Sequence, residues 1–164
     1  MRVSFDLDDT LFIDENEIDA ETGLKFPFKY FYRERRLRLG TIELMKKIIN
    51  NGIELWIYTT SLRPRHYIKR YFKKYGINIR LKNIVNGQRH MDEVQNNSEG
   101  ILLSKYPSRY NIDLHIDDDI SVKQNGEMYG FKVFLLSGNN KNWTKELWEE
   151  IMKIKGNKEK VISP

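Results

Sequence analysis

Ile53-Glu54-Leu55-Trp56-Ile57-Tyr58-Thr59-Thr60 is the stretch that decides the fold class. Glu54 apart, it is apolar until it reaches its two threonines, and a strand apolar on both faces is the kind that a parallel sheet buries between helices. Its flanks agree. Before it, Thr41 to Asn50 places Ile42, Met45, Ile48 and Ile49 on one helical face, with Thr41 as the expected cap and Gly52 at the C-terminal cap position. After it, Pro64 opens a basic helix that Gly76 closes. Val3, Phe5 and Leu7 start a first strand. Ile77 to Val85, Ile112 to Ile116 and Phe131 to Leu136 read as three more, with a helical or turn segment around Val122 to Gly130 and a last amphipathic helix over Trp143 to Lys155. Alternating strands and helices predict an α/β domain with a mainly parallel sheet and right-handed crossovers.

The chain has 164 residues, 40% of them hydrophobic, which suits one compact domain. We expect that domain over 1–155, followed by a flexible tail at 156–164. No apolar run approaches the ~20 residues of a membrane-spanning helix, and the N-terminus lacks a signal-like apolar region. The expected location is cytoplasmic. With 0 cysteines, disulfides, thiolate zinc sites and a cysteine nucleophile are excluded. His66, His90 and His115 are scattered without metal-ligand spacing and read as surface or half-buried residues.

The net charge of +5 conceals segregation. Residues 1–24 carry 8 acids and 1 Arg, 25–38 carry 6 basic residues and Glu34, and 61–90 carry 9 basic residues and no acid. An acidic pocket inside a basic surround suits a divalent cation and a phosphorylated substrate. The plainer reading of Arg65, Lys69, Arg70, Lys73 and Lys74 is the solvated face of a helix whose Ile68, Tyr71, Phe72 and Tyr75 pack inward. Lys25-Phe26-Pro27-Phe28-Lys29-Tyr30-Phe31-Tyr32-Arg33 interleaves cations with rings, chemistry that holds phosphates and stacks bases, or that packs a flap against the body or a second subunit.

Open parallel sheets bind ligands beyond the carboxyl ends of their strands. Those ends are unusually polar here: Asp6, Asp8, Asp9 and Thr10 after the first strand, Thr59 and Thr60 after the second, and Asp117, Asp118 and Asp119 after the fourth. Asp6 and Asp8, two apart, leave the same face of the strand. Carboxylates crowded together stay ionised when a cation sits among them, and oxygen-only ligands suit magnesium.

Phe5-Asp6-Leu7-Asp8-Asp9-Thr10-Leu11 resembles the first motif of the haloacid dehalogenase-like (HAD) hydrolases, a strand running into Asp-x-Asp-x-Thr. Ile57-Tyr58-Thr59-Thr60 is similar to the second motif and Leu114-His115-Ile116-Asp117-Asp118 to the fourth. Lys105 is assigned to the third, with Lys82 as its rival. The resemblance implies a Rossmann-like three-layer sandwich and a magnesium-dependent phosphatase working through an aspartyl phosphate. Asp6 is then the nucleophile and Asp8 the acid and base. Thr59 hydrogen-bonds the phosphoryl group, and Lys105 neutralises charge. Magnesium is held by Asp6, the Asp8 carbonyl, Asp118 and, directly or through water, Asp117; Asp119 caps the following turn. Asp8 argues for phosphate chemistry, because the dehalogenase branch lacks that second carboxylate.

Thr60, Arg63 and Arg65 follow the second motif and are expected to bind substrate. Only about 12–38 remains for an insertion, enough for a flap and a loop, so a minimal cap or none is expected. An open site admits large substrates such as phosphoproteins or nucleic acid ends, unless a second subunit of a homo-oligomer supplies a lid. Two competitors keep the pocket without this chemistry. One is a non-catalytic or regulatory module binding phosphate or nucleic acid. The other is a receiver-like domain, which lacks its acceptor Asp at Val85-Asn86-Gly87. No glycine-rich phosphate loop occurs.

Overall fold

Alternate residues of β1 (Arg2–Phe5) and β4 (Glu54–Tyr58) feed opposite faces of one sheet, and both faces are covered. Leu55 and Ile57 join Val3 and Phe5 in the main core, against α1 (Thr41–Asn50), α2 (Arg65–Lys74) and α5 (Trp143–Ile162). Trp56 and Tyr58 pack on the other side with Val85, Val94, Tyr110 and Ile112. Burying one large apolar side chain of this kind stabilises by about 1.5–3 kcal/mol, so the all-apolar strand is the strongest local determinant of the sheet. The computed structural model describes residues 1–14, 18–23, 27, 36–97, 103–138 and 140–162.

The sheet has five parallel strands in the order β5-β4-β1-β6-β7, where β5 is Ile84–Val85, β6 is Leu114–Asp117 and β7 is Val133–Leu135. The chain moves outward from β1 through β4 to β5, then returns to lay β6 on β1's other side. That reversal is a topological switch point, where the loops leaving β1 and β6 part and open a crevice. A separate antiparallel pair, β2 (Phe12–Ile13) and β3 (Arg36–Leu37), stands at the root of the expected flap. Most of the aromatic and basic stretch 25–33 lies outside the described residues.

Several elements differ from expectation. Gly40, at φ 87°, rather than Thr41, is the N-cap of α1, and Thr41 is its buried first residue. Ile77 to Val85 is a strand only at Ile84–Val85. Ile77 and Ile79 bury their side chains without a partner strand, and Leu81–Asn83 turn as a short 3₁₀ segment whose first carbonyl accepts from Arg65. The turn-like Asn86-Gly87 starts a helix, α3 (Gly87–Glu93), because the Asn86 side chain accepts the Arg89 N–H. Gly87 is required there: a Cβ would lie 2.3 Å from the Thr60 carbonyl oxygen. The segment after β6 is a full helix, α4 (Ile120–Tyr129). The last helix does not stop at Lys155 but continues to Ile162, anchored by Lys155 on the Asn51 carbonyl and by Lys158 on Asp113.

Candidate active site

The register of β1 on β6 brings the two acid groups together. Phe5 pairs with Ile116, and the Asp6 N–H donates to the Ile116 carbonyl at 2.9 Å, so Asp6 emerges beside Asp117 at the switch point. Both side chains are buried, Asp6 to 6% exposure. Lys105 enters between them from the irregular segment ahead of β6, itself only 4% exposed. Its ammonium lies 2.8 Å from Asp6 Oδ1 and donates to Asp117 Oδ2 at 2.5 Å. The rival Lys82 is exposed on the 3₁₀ turn.

The three charges are not equivalent. Burial pushes the Asp6 carboxyl up to about 7, and the Lys105 charge only partly offsets it. Burial alone would also raise Asp117, yet the His115 hydrogen bond and the Lys105 charge hold it down to about 2. Burial disfavours the Lys105 ammonium as well, but the two carboxylates beside it win and raise its pKa. Asp117 has three donors: His115 Nε2 at 2.8 Å and Lys105 on Oδ2, and the Asp119 N–H at 3.0 Å on Oδ1. Asp6 Oδ1, by contrast, is buried against the Lys105 ammonium at 2.8 Å. A buried carboxylate is costly unless something positive completes it, and here one ammonium is shared between Asp6 and Asp117.

Asp118 adds a third acid. Its Oδ1 accepts from the Thr10 hydroxyl at 2.5 Å, while its own N–H donates back to that hydroxyl at 3.1 Å. Thr10 thereby ties the loop after β1 to the loop after β6. Asp6, Asp117 and Asp118 each present an oxygen within 4.8 Å of the others, a set that could hold a metal ion. Three carboxylates facing one ammonium leave excess negative charge, and hard oxygen donors match a hard divalent cation. Asp119 turns away and caps α4 through the Ser121 N–H, as expected.

Asp8 stands apart from that trio. Its Oδ2 accepts from Arg63 at 2.6 Å, and the hydrogen bond and charge of Asp8 raise the arginine's pKa. The Arg63 guanidinium also donates to the Ser61 hydroxyl and lies over the Phe12 ring. Thr59, at the end of β4, is fully buried, and its hydroxyl oxygen accepts the Ser61 N–H, so its O–H remains the donor it can offer. Thr60 is exposed beside it. Arg65 is not brought to the acids: its guanidinium donates to the Leu81 carbonyl at 2.6 Å.

Two histidines are buried, against the expectation of surface or half-buried positions. His115 is 0% exposed in β6, spanning the Ser4 hydroxyl at 2.8 Å and Asp117. His90 bridges the Tyr58 hydroxyl and the Leu103 carbonyl. Each is paid for by two polar partners, which a sequence does not display. The alternation of His115 with Asp117 along one strand face was the available signal. Arg38 was also missed as a site residue. Its buried guanidinium donates to the carbonyls of Asp9, Thr10 and Gly138, holding the loop after β1, where Asp9 has φ 60°.

Among the described residues no helix is long and apolar enough to cross a membrane. No protein-family model matches the chain, and no curated protein matches it.

Proposed function

We propose that this chain is a magnesium-dependent phosphatase of the HAD type, with Asp6 as nucleophile. The observation that carries the reading is the buried Asp6 carboxylate, set beside Lys105 and two further carboxylates at the switch point. Asp6 and Asp118, with Asp117 at their side, would hold magnesium. When bound, the ion supplies electrostatic shielding that lets an anionic phosphate approach anionic Asp6.

The chain's own residues account for the rest. An Asp6 oxygen forms a bond to phosphorus as the bond to the leaving oxygen breaks, and Asp8 gives that oxygen its proton. Asp8 then takes a proton from water, whose oxygen attacks phosphorus, releasing phosphate and restoring Asp6. Lys105 offsets the charge that builds at Asp6, and the Thr59 O–H is available to a phosphoryl oxygen. Arg63, now on Asp8, is close enough to meet the incoming phosphate. The short β2–β3 root and the small insertion support an uncapped site, open to a large phosphorylated substrate.

Hydrolysis of an aryl phosphate, with and without magnesium, tests this in the native chain and in Asp6→Asn. We expect magnesium-dependent turnover in the first and none above background in the second. Equal rates in all four conditions would remove catalysis by this site.

A further inference from the structure

We infer that the phosphate this site takes is the terminal phosphate of a single-stranded nucleic acid, whose chain runs along the exposed face of α2. The inference rests on the phosphatase reading for the fate of that phosphate but not for the binding of the strand. Its basis is a basic run that starts at the site and continues along α2. The run 61–90 carries 9 basic residues and no acid.

The fold fixes the start of that run beside the acids. Phe12 of β2 pairs with Leu37 of β3, and its ring contacts Tyr71 edge-on at 5.0 Å and stacks on Phe72 at 6.4 Å, both on α2. The Arg63 guanidinium lies over that same ring, 5.6 Å from its centroid, while its other end is on Asp8. The acids therefore lie beside Arg63, and a basic border runs from there along the start of α2. A small phosphate ester would use only Arg63. The charge continues past it.

Along α2, His66, Arg70, Lys73 and Lys74 are exposed, and Arg80 and Lys82 follow beyond its end, also exposed. Positions 66, 70 and 73 lie on one helical face at spacings of four and three. Ten residues of helix extend about 15 Å, the reach of several nucleotides rather than of one metabolite. Lys46 of α1 adds a cation at the far end, its ammonium 3.6 Å from where a Cβ of Gly76 would sit. A ribbon of cations leading from the acid cluster complements an evenly charged polyanion that ends in a phosphate. Rings and apolar surface at the mouth favour bases over acidic side chains. Leu62 is 66% exposed next to Arg63, and Tyr67 lies half-buried one turn on, surfaces on which a terminal base can rest.

The experiment uses fluorescence anisotropy of a short labelled single-stranded DNA with a 3′ phosphate, against the full chain carrying Asp6→Asn, in EDTA. We expect binding whose logarithm falls linearly with the logarithm of salt concentration, with a slope of about −0.7 for each phosphate neutralised. Arg70→Glu with Lys73→Glu should weaken it at least about tenfold, since each exposed cation contributes to that slope. The same pair in an otherwise native chain should leave aryl phosphate hydrolysis unchanged, and circular dichroism reports whether it folds. Arg70→Gln with Lys73→Gln gives an intermediate loss.

No binding at low salt, or binding indifferent to these changes, overturns the inference. Equal affinity for an acidic phosphopeptide, with equal sensitivity to the changes, overturns it in favour of a protein partner. The two readings fail separately. Turnover of aryl phosphate without oligonucleotide binding sinks only this inference, whereas binding without turnover sinks only the catalytic one.

Discussion

Lys105 donates to Asp117 at 2.5 Å, and this buried bond divides the acids by role. With His115 on the same oxygen and the Asp119 N–H on the other, the Asp117 carboxylate is already satisfied within the protein. Asp118, held on Oδ1 by the Thr10 hydroxyl, keeps more oxygen capacity for a cation. Asp118→Asn should therefore weaken magnesium binding, followed by isothermal titration calorimetry, more than Asp117→Asn does. Equal losses would mean that Asp117 is a ligand of the same rank.

Lys105 should be indispensable and Lys82 dispensable. Removing a preorganised electrostatic partner from a reacting centre costs on the order of 10²–10³ in kcat, so Lys105→Met should lose that much while Lys82→Met retains native turnover. Lys105→Met should also lower thermal stability, because it leaves two neighbouring buried carboxylates without their shared counter-charge. Lys82 is exposed, and its change should leave stability unaltered.

Without metal, stability should decline as pH rises through neutrality. The Asp6 pKa in the fold, about 7, exceeds its ordinary value of 3.8, so the folded chain binds that proton more tightly than the unfolded chain. Its contribution is complete below the unfolded pKa and is lost as pH climbs through the folded one. Asp117 works in the opposite sense: its pKa is lowered to about 2, so its contribution is present above 3.8 and lost as pH falls toward 2. Thermal melts in EDTA should show the alkaline decline in the native chain and a flatter profile in Asp6→Asn. Added magnesium, which binds the ionised form, should restore stability at the high end. Parallel profiles for the two chains in EDTA would contradict the Asp6 assignment.

The sheet was legible because its signals are local. An apolar run such as Leu55–Tyr58 needs no partner to be recognised, and acids just past β1 and β6 fall at the ligand end once the strands are known. The pairings were not legible. Arg63 reaches Asp8 across the site, and His115 meets Ser4 on the neighbouring strand, contacts fixed only by strand order. Ile77 and Ile79 misled for the converse reason: alternation reports burial, and burial here occurs without a ladder. The helix start at Asn86-Gly87 was not read from the sequence, because its cap and the close approach of the Thr60 carbonyl appear only in the fold.

Thr10 should govern metal affinity without touching the metal. Its hydroxyl fixes the Asp118 carboxylate and receives the Asp118 N–H. Outer partners of this kind typically cost 10–100-fold in metal affinity when lost, so Thr10→Val should weaken magnesium binding by about that factor. Thr10→Ser, which keeps the hydroxyl, should recover most of it. If both variants bind as the native chain does, Asp118 is oriented by other means.

Asp117 should set the tautomer of His115, and the Ser4 hydroxyl should follow it. Burial lowers the histidine's pKa, and although the Asp117 hydrogen bond opposes this, the ring is held on the neutral side. An ionised carboxylate only accepts, so Nε2 carries the proton toward Asp117 and Nδ1 is left to accept from the Ser4 hydroxyl. Ser4→Ala removes a neutral buried hydrogen bond and should destabilise by about 1 kcal/mol. His115→Leu strips Asp117 of a donor and leaves the Ser4 hydroxyl unpaired, so about 2–3 kcal/mol is expected. Urea unfolding measures both, and ¹⁵N chemical shifts of the His115 ring report the tautomer directly. A protonated Nδ1 and bare Nε2 would contradict this arrangement, since Asp117 would then lose the donor that keeps its pKa low.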